Sequence, residues 1–134
     1  MEEIKLYRCN ICGNLVMVLN DSGVTPHCCG TEMEYLKVNT EDGVFEKHMP
    51  VVTLGAGWVQ ADVGNVLHPM KENHYIEWIA ALTDSGLHIR ELKPGDRPGA
   101  GFMLNGENLL SVYAFCNIHG LWMNQNYLKE DEGV

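Results

Sequence analysis

The sequence predicts an all-β protein in two parts: a small module built on four cysteines, followed by a β-sandwich or barrel. Three observations lead there. Four of the five cysteines lie in the first 29 residues, in a stretch with little apolar sequence. Beyond residue 43 the chain runs in short β-rich segments separated by turn signals. Apolar residues make up 46% of the 134-residue chain and charged residues 20%, which supports a packed core and excludes a disordered chain.

The first part, residues 1–37, has only one apolar run, Leu15-Val16-Met17-Val18-Leu19. That is too little core for a module of this size unless a ligand staples it. The polar stretch Val38-Asn39-Thr40-Glu41-Asp42-Gly43 marks the boundary, and residues 38–134 form the second part. Strands are expected there at 50–54, 57–63, 87–92, 101–104, 109–116 and 121–124. Residues 73–82 fit a helix or a strand by periodicity, and the β-rich neighbours favour a strand. Gly55-Ala56-Gly57 and Thr83-Asp84-Ser85-Gly86 have the composition of hairpin loops. Residues 129–134 read as a disordered acidic tail.

Charge and composition narrow the function. A net charge of -9, with lysines and arginines scattered, offers no basic stripe for nucleic acid and no basic amphipathic face for a membrane surface. No window approaches the roughly 20 apolar residues of a spanning helix, and the first residues do not form a signal peptide. The cytoplasm is therefore the expected compartment, where five cysteines serve as metal ligands or thiols rather than disulfides.

Cys9-Asn10-Ile11-Cys12-Gly13 has the spacing of a metal knuckle, with Gly13 allowing a tight turn. Cys28 and Cys29 supply a second pair, completing four soft ligands for a tetrahedral zinc or iron. A redox disulfide would want a helix after the motif, whereas the residues after Gly13 look like a strand. Neighbouring side chains on an extended chain point to opposite faces, so two adjacent ligands must distort the backbone between them. Ligand type leaves zinc and iron both open.

The second part holds a more dispersed set. His48, His68 and His74 fall near expected strand ends or bends, and Cys116-Asn117-Ile118-His119-Gly120 follows a β-run. Each histidine alone is more often a surface or core residue than a ligand. Together, four imidazoles and one thiolate exceed a closed tetrahedral zinc shell and leave a sixth position open, which suits redox-active iron. His27 and His88 are read as non-ligands. Two other readings fit the same residues: a non-catalytic electron carrier, and a zinc protein whose ligands serve folding alone.

Several motifs carry a resemblance: Cys9-x-x-Cys12 with Cys28-Cys29, Glu46-Lys47-His48-Met49-Pro50-Val51, His68-Pro69-Met70, His74-Tyr75-Ile76-Glu77-Trp78-Ile79, Lys93-Pro94-Gly95-Asp96, and Cys116-Asn117-Ile118-His119-Gly120. The first resembles the small four-cysteine module of desulforedoxin, and the rest a superoxide reductase domain. Nearly the whole chain is thus similar to the desulfoferrodoxin family of two-iron superoxide reductases.

The resemblance implies a rubredoxin- or desulforedoxin-like module followed by an immunoglobulin-like β-sandwich. It implies two irons, Fe(Cys)4 at Cys9, Cys12, Cys28 and Cys29, and Fe(His)4(Cys) with His48, His68, His74 and His119 around the metal and Cys116 as axial ligand. The implied activity is one-electron reduction of superoxide to hydrogen peroxide without dioxygen, fed by rubredoxin or a similar donor, in a homodimer. Lys47 is expected to supply positive potential at the mouth of the site, and Glu46 a gating carboxylate that can take the sixth position.

Overall fold

The structure, a computed structural model, describes residues 1–40, 48–64 and 67–125, and contains strands but no helix among them. The chain divides into two compact units, Met1–Lys37 and Val38–Val134.

In the first unit β1 (Leu6–Arg8) lies between β2 (Leu15–Met17) and β5 (Glu34–Tyr35), both antiparallel to it. A two-residue ladder of β3 (His27–Cys28) and β4 (Thr31–Glu32) forms a separate hairpin. One buried cluster here is Tyr7, Cys9 and Met33, with Val16, Val18 and Cys28 packed against it, and Ile4, Leu6 and Leu36 are buried as well. Two of the six in that cluster are cysteines, so the core of this unit and its metal-binding chemistry share side chains. Lys5 closes one side, ion-paired with Asp21 at 2.9 Å and lying 5.7 Å from the ring centres of both Tyr7 and Tyr35.

The second unit is a sandwich of two antiparallel sheets. One has the order β10-β7-β6, from β6 (Pro50–Gly55), β7 (Trp58–Val63) and β10 (Gly99–Met103). The other has the order β12-β11-β8-β9, from β8 (Ile76–Thr83), β9 (Leu87–Glu91), β11 (Leu109–Cys116) and β12 (Gly120–Asn124). Seven antiparallel strands in two faced sheets give the immunoglobulin-like sandwich expected above. Alternation sets the faces. Val59, Ala61 and Val63 of β7 point inward, and Ile79, Ala81, Val112 and Ala114 meet them from the facing sheet, all fully buried. Each fully buried Val or Ile contributes about 1.5–3 kcal/mol relative to exposure.

The expected strands are found with ends shifted by a few residues, and the ambiguous 73–82 segment is strand β8 from Ile76 onward. Its start is delayed because residues 71–74 close a tight turn of their own, with Lys71 and His74 exchanging backbone hydrogen bonds at 2.9 and 3.0 Å. Both expected hairpin loops are present. Gly55 pairs with Trp58, so Ala56 and Gly57 make the turn, and Gly57 takes a φ of 77° that only glycine adopts freely. At the other loop Thr83 N–H donates to the Gly86 carbonyl at 2.9 Å. The acidic tail lies outside the described residues.

Candidate metal centres

The four-cysteine cluster is assembled by two turns of the first unit. In the Cys9–Gly13 knuckle the Gly13 amide donates to the Cys9 carbonyl at 2.9 Å, with Gly13 at φ 81°. The Cys12 amide faces Cys9 Sγ at 3.4 Å. The second turn carries the adjacent pair. Cys29 has φ 54° and Gly30 φ 77°, so a left-handed residue follows Cys28 and turns the chain back. That is how two neighbouring side chains reach one point, and it is the backbone distortion that their adjacency requires.

The four sulfurs lie within 4.8 Å of one another, with Cys12 Sγ 3.6 Å from Cys28 Sγ and Cys28 Sγ 4.0 Å from Cys29 Sγ. A tetrahedron of thiolates about 2.3 Å from a central ion has edges of about 3.8 Å, so the cluster fits such an ion. Charge points the same way. The amides of Cys12 and Ile11 hold the Cys9 thiol at about 6, while the neighbouring sulfurs of Cys12 and Cys9 push Cys28 up to about 12 and raise Cys29 as well. The Cys9 thiolate forms readily while those of Cys28 and Cys29 are opposed by their neighbours, so thiolates held together here are favoured by a cation.

The second cluster sits at one end of the sandwich because antiparallel pairing brings particular strand ends together. The beginnings of β6, β8 and β12 share that end with the terminations of β7 and β11. His48 precedes β6, His68 follows β7, His74 precedes β8, Cys116 ends β11, and His119 lies in the turn to β12. His48, His68 and Cys116 are buried, His74 is half-buried and His119 is exposed, so one side of the cluster meets solvent.

The four imidazoles form a closed ring. Successive ring centres are 4.8 Å apart for His48–His68, 4.8 Å for His68–His74, 5.1 Å for His74–His119 and 4.7 Å for His119–His48. Their planes are inclined at 58° to 85°. Cys116 Sγ lies 3.8 Å from His119 Nδ1, and the five ligand atoms fall within 4.8 Å of one another.

The chemistry of this set fits a metal ion. His68 Nδ1 is 2.8 Å from the Pro69 carbonyl, which places the proton on Nδ1 and leaves the lone pair on the buried Nε2. His48 Nε2 and His119 Nδ1 approach to 3.0 Å, the separation of two adjacent nitrogens each about 2.1 Å from one ion at a right angle.

Surrounding residues hold this geometry. Trp122 stacks on His48 with ring centres 4.5 Å apart and planes 13° from parallel, and its indole N–H donates to the His119 carbonyl at 3.2 Å. Asn124 donates its amide to the Pro50 carbonyl at 2.8 Å, fixing the strand start two residues after His48. Sequence reading assigned neither a role. Their signal is weak, since a Trp and an Asn on a strand have many uses.

All nine expected ligands therefore fall into the two expected groups. Glu46 and Lys47 lie outside the described residues. His27 sits beside Cys28 with Nδ1 3.2 Å from the Thr25 carbonyl, and His88 pairs with Glu107 at 3.1 Å. Neither joins a cluster.

Comparison with known proteins agrees with both units. The family model described as desulfoferrodoxin, N-terminal domain, matches residues 1–36, and that described as desulfoferrodoxin matches residues 40–125. A desulfoferrodoxin homolog of Archaeoglobus fulgidus is 43% identical over 92% of this chain and 98% of its own length. A desulfoferrodoxin of Nitratidesulfovibrio vulgaris is 41% identical over 90% of this chain and 94% of its own. Among solved structures, a superoxide reductase from Treponema pallidum superposes with a TM-score of 0.80 at 29% identity, covering 92% of this chain and 99% of that one. A superoxide reductase described as 1Fe-SOR, from Giardia intestinalis, covers 59% of this chain and 95% of its own, with a TM-score of 0.51 at 32% identity. On this likeness, spanning both units, the chain belongs to the desulfoferrodoxin family.

Proposed function

We propose that the chain is a superoxide reductase, which converts superoxide to hydrogen peroxide by adding one electron and two protons, at a non-haem iron held by His48, His68, His74, His119 and Cys116. The observation that carries this reading is the closed ring of four imidazoles with a buried thiolate beside it. Iron held by these five residues would supply the electron and an open coordination position.

The protein's own groups do the rest. The Cys116 thiolate would hold the metal and give it electron density, which would weaken its hold on an anionic product. The Pro69 carbonyl fixes the tautomer of His68 and so its donor atom. The exposed side at His119 leaves the cluster open to solvent. Superoxide is an anion and the chain carries a net charge of -9, so local positive charge must outweigh the global field. Lys47, adjacent in sequence to the buried His48, is assigned that part, and Glu46 is assigned gating of the open position.

Cys9, Cys12, Cys28 and Cys29 are assigned a second iron, with zinc as the competing occupant. Each turnover consumes an electron, so a rubredoxin-like one-electron donor belongs to the proposal, as do a homodimer and a cytoplasmic setting. No helix among the described residues is long and apolar enough to cross a membrane.

Metal analysis with the visible spectrum tests the assignment. The wild-type chain is expected to hold two irons and to absorb through both thiolate sets. Cys116→Ser should abolish the band of the histidine site and leave that of the four cysteines. A colourless, zinc-loaded wild type would contradict it.

A further inference from the structure

We propose that Asn117 is a positioning residue for the histidine site, gripping the chain on both sides of His74 and so setting that imidazole against Cys116 and His119. The inference rests on the metal-binding reading of that site.

His74 stands outside the strands of both sheets, tied by its own backbone only to Lys71 across a tight turn. It lies at the end of the 71–74 turn, before β8 begins at Ile76, and is only half-buried. Cys116 and His119, by contrast, lie on either side of one short turn between two paired strands. Something must hold His74 in register with that turn.

The β8–β11 ladder cannot do so unaided. It runs regularly from Val112 with Ala81 to Phe115 with Trp78, then slips by one residue so that Cys116 faces Ile76. Past Cys116 the backbone leaves the ladder to make the turn carrying His119. Asn117 bridges this break with three hydrogen bonds. Its backbone N–H donates to the Tyr75 carbonyl at 3.1 Å. Its side-chain Oδ1 accepts from the Tyr75 N–H at 2.9 Å. Its Nδ2 donates to the Asn73 carbonyl at 3.2 Å.

Residues 73 and 75 are thus both held by the residue that follows the thiolate ligand, and His74 stands between them. The chemistry selects asparagine. The Tyr75 N–H needs an acceptor and the Asn73 carbonyl needs a donor, and a short primary amide offers both at the observed span. Aspartate has the same shape but would turn an oxygen toward the Asn73 carbonyl. Alanine keeps only the backbone bond.

The test compares full-length wild type with Asn117→Ala and Asn117→Asp, each loaded with ferrous iron. Iron affinity of the histidine site is read by competition with a chelator, and its visible band recorded after oxidation, with the four-cysteine metal as an internal control. Loss of a residue that orients a ligand lowers metal affinity by about 10- to 100-fold. Asn117→Ala is expected to fall in that range with a shifted band, Asn117→Asp to fall less, and the four-cysteine metal to be unchanged. If Asn117→Ala does not fold, the near-isosteric Asn117→Asp decides alone.

Unchanged affinity and an unchanged band in the variants would overturn the proposal. So would equal loss at both metals, which signals general unfolding. Wild type that binds no iron at the histidine site would remove the site itself, and the proposal with it.

Discussion

At the scale of the residue, the side chains that group into the two candidate metal centres were legible because their chemistry is narrow, and their neighbours were not. Cys9, Cys12, Cys28, Cys29 and Cys116 have few uses as thiols in a chain without disulfides, and paired spacing made the first four conspicuous. The histidines needed the whole set before any one of them carried weight. Trp122 illustrates what spacing cannot reveal, since its role depends on two contacts across the fold, one to the His48 ring and one to the His119 carbonyl. Trp122→Phe should retain the stacking and lose the hydrogen bond, whereas Trp122→Leu loses both. Iron retention at the histidine site, measured by chelator competition, should therefore decline from wild type through Phe to Leu, by about tenfold for Leu.

At the scale of the element, strand existence followed from alternation, but strand ends were set by local bonding that alternation does not encode. Residues 73–82 show this. Their apolar pattern covers the turn that holds His74 as well as the strand after it, and only the backbone bonds between Lys71 and His74 separate the two. The β8–β9 hairpin offers a second case, because its loop was recognisable and its clasp was not. Glu107 accepts from Thr83 Oγ1 at 2.6 Å and lies 3.1 Å from His88 Nε2, reaching the hairpin from the loop before β11.

The Thr83 hydroxyl first, and then His88, hold the Glu107 carboxyl below the usual carboxylate range, against the opposing effect of burial. A lowered folded value means that the carboxylate's contribution to stability is complete above the unfolded value of about 4.3, and is lost as pH falls through the folded value. Glu107→Gln should lower the melting temperature by a few degrees at neutral pH. The difference from wild type should narrow as pH falls through the folded value, below the ordinary carboxylate range, as a series of thermal melts from pH 7 into acid would record. A gap that persists in acid would place the effect in packing instead.

At the scale of the whole molecule, two units of very different self-sufficiency share one chain. The sandwich has a core of fully buried aliphatic side chains. The first unit relies on a few apolar contacts plus its cysteines. Cys9→Ser with Cys12→Ser in the full chain should therefore remove one metal and unfold the first unit, as metal content and amide hydrogen exchange would report. The chemistry of the histidine site should continue at the wild-type rate, because all five of its ligands lie in the second unit. A large loss of rate would make the four-cysteine metal part of the reaction.

The division into two units was readable from where the cysteines and the polar 38–43 stretch fall. The grouping of His48, His68, His74, Cys116 and His119 at one end of the sandwich required the strand order, which joins positions up to 71 residues apart. The proposed reaction at this end reduces superoxide and does not dismutate it. Mixing the anaerobically reduced, iron-loaded protein with a substoichiometric pulse of superoxide and counting products tests that directly. For each superoxide consumed, one hydrogen peroxide formed, one iron of the histidine site oxidised and no dioxygen are expected. One peroxide for every two superoxides, with dioxygen released and the iron left reduced, would contradict the proposed reaction.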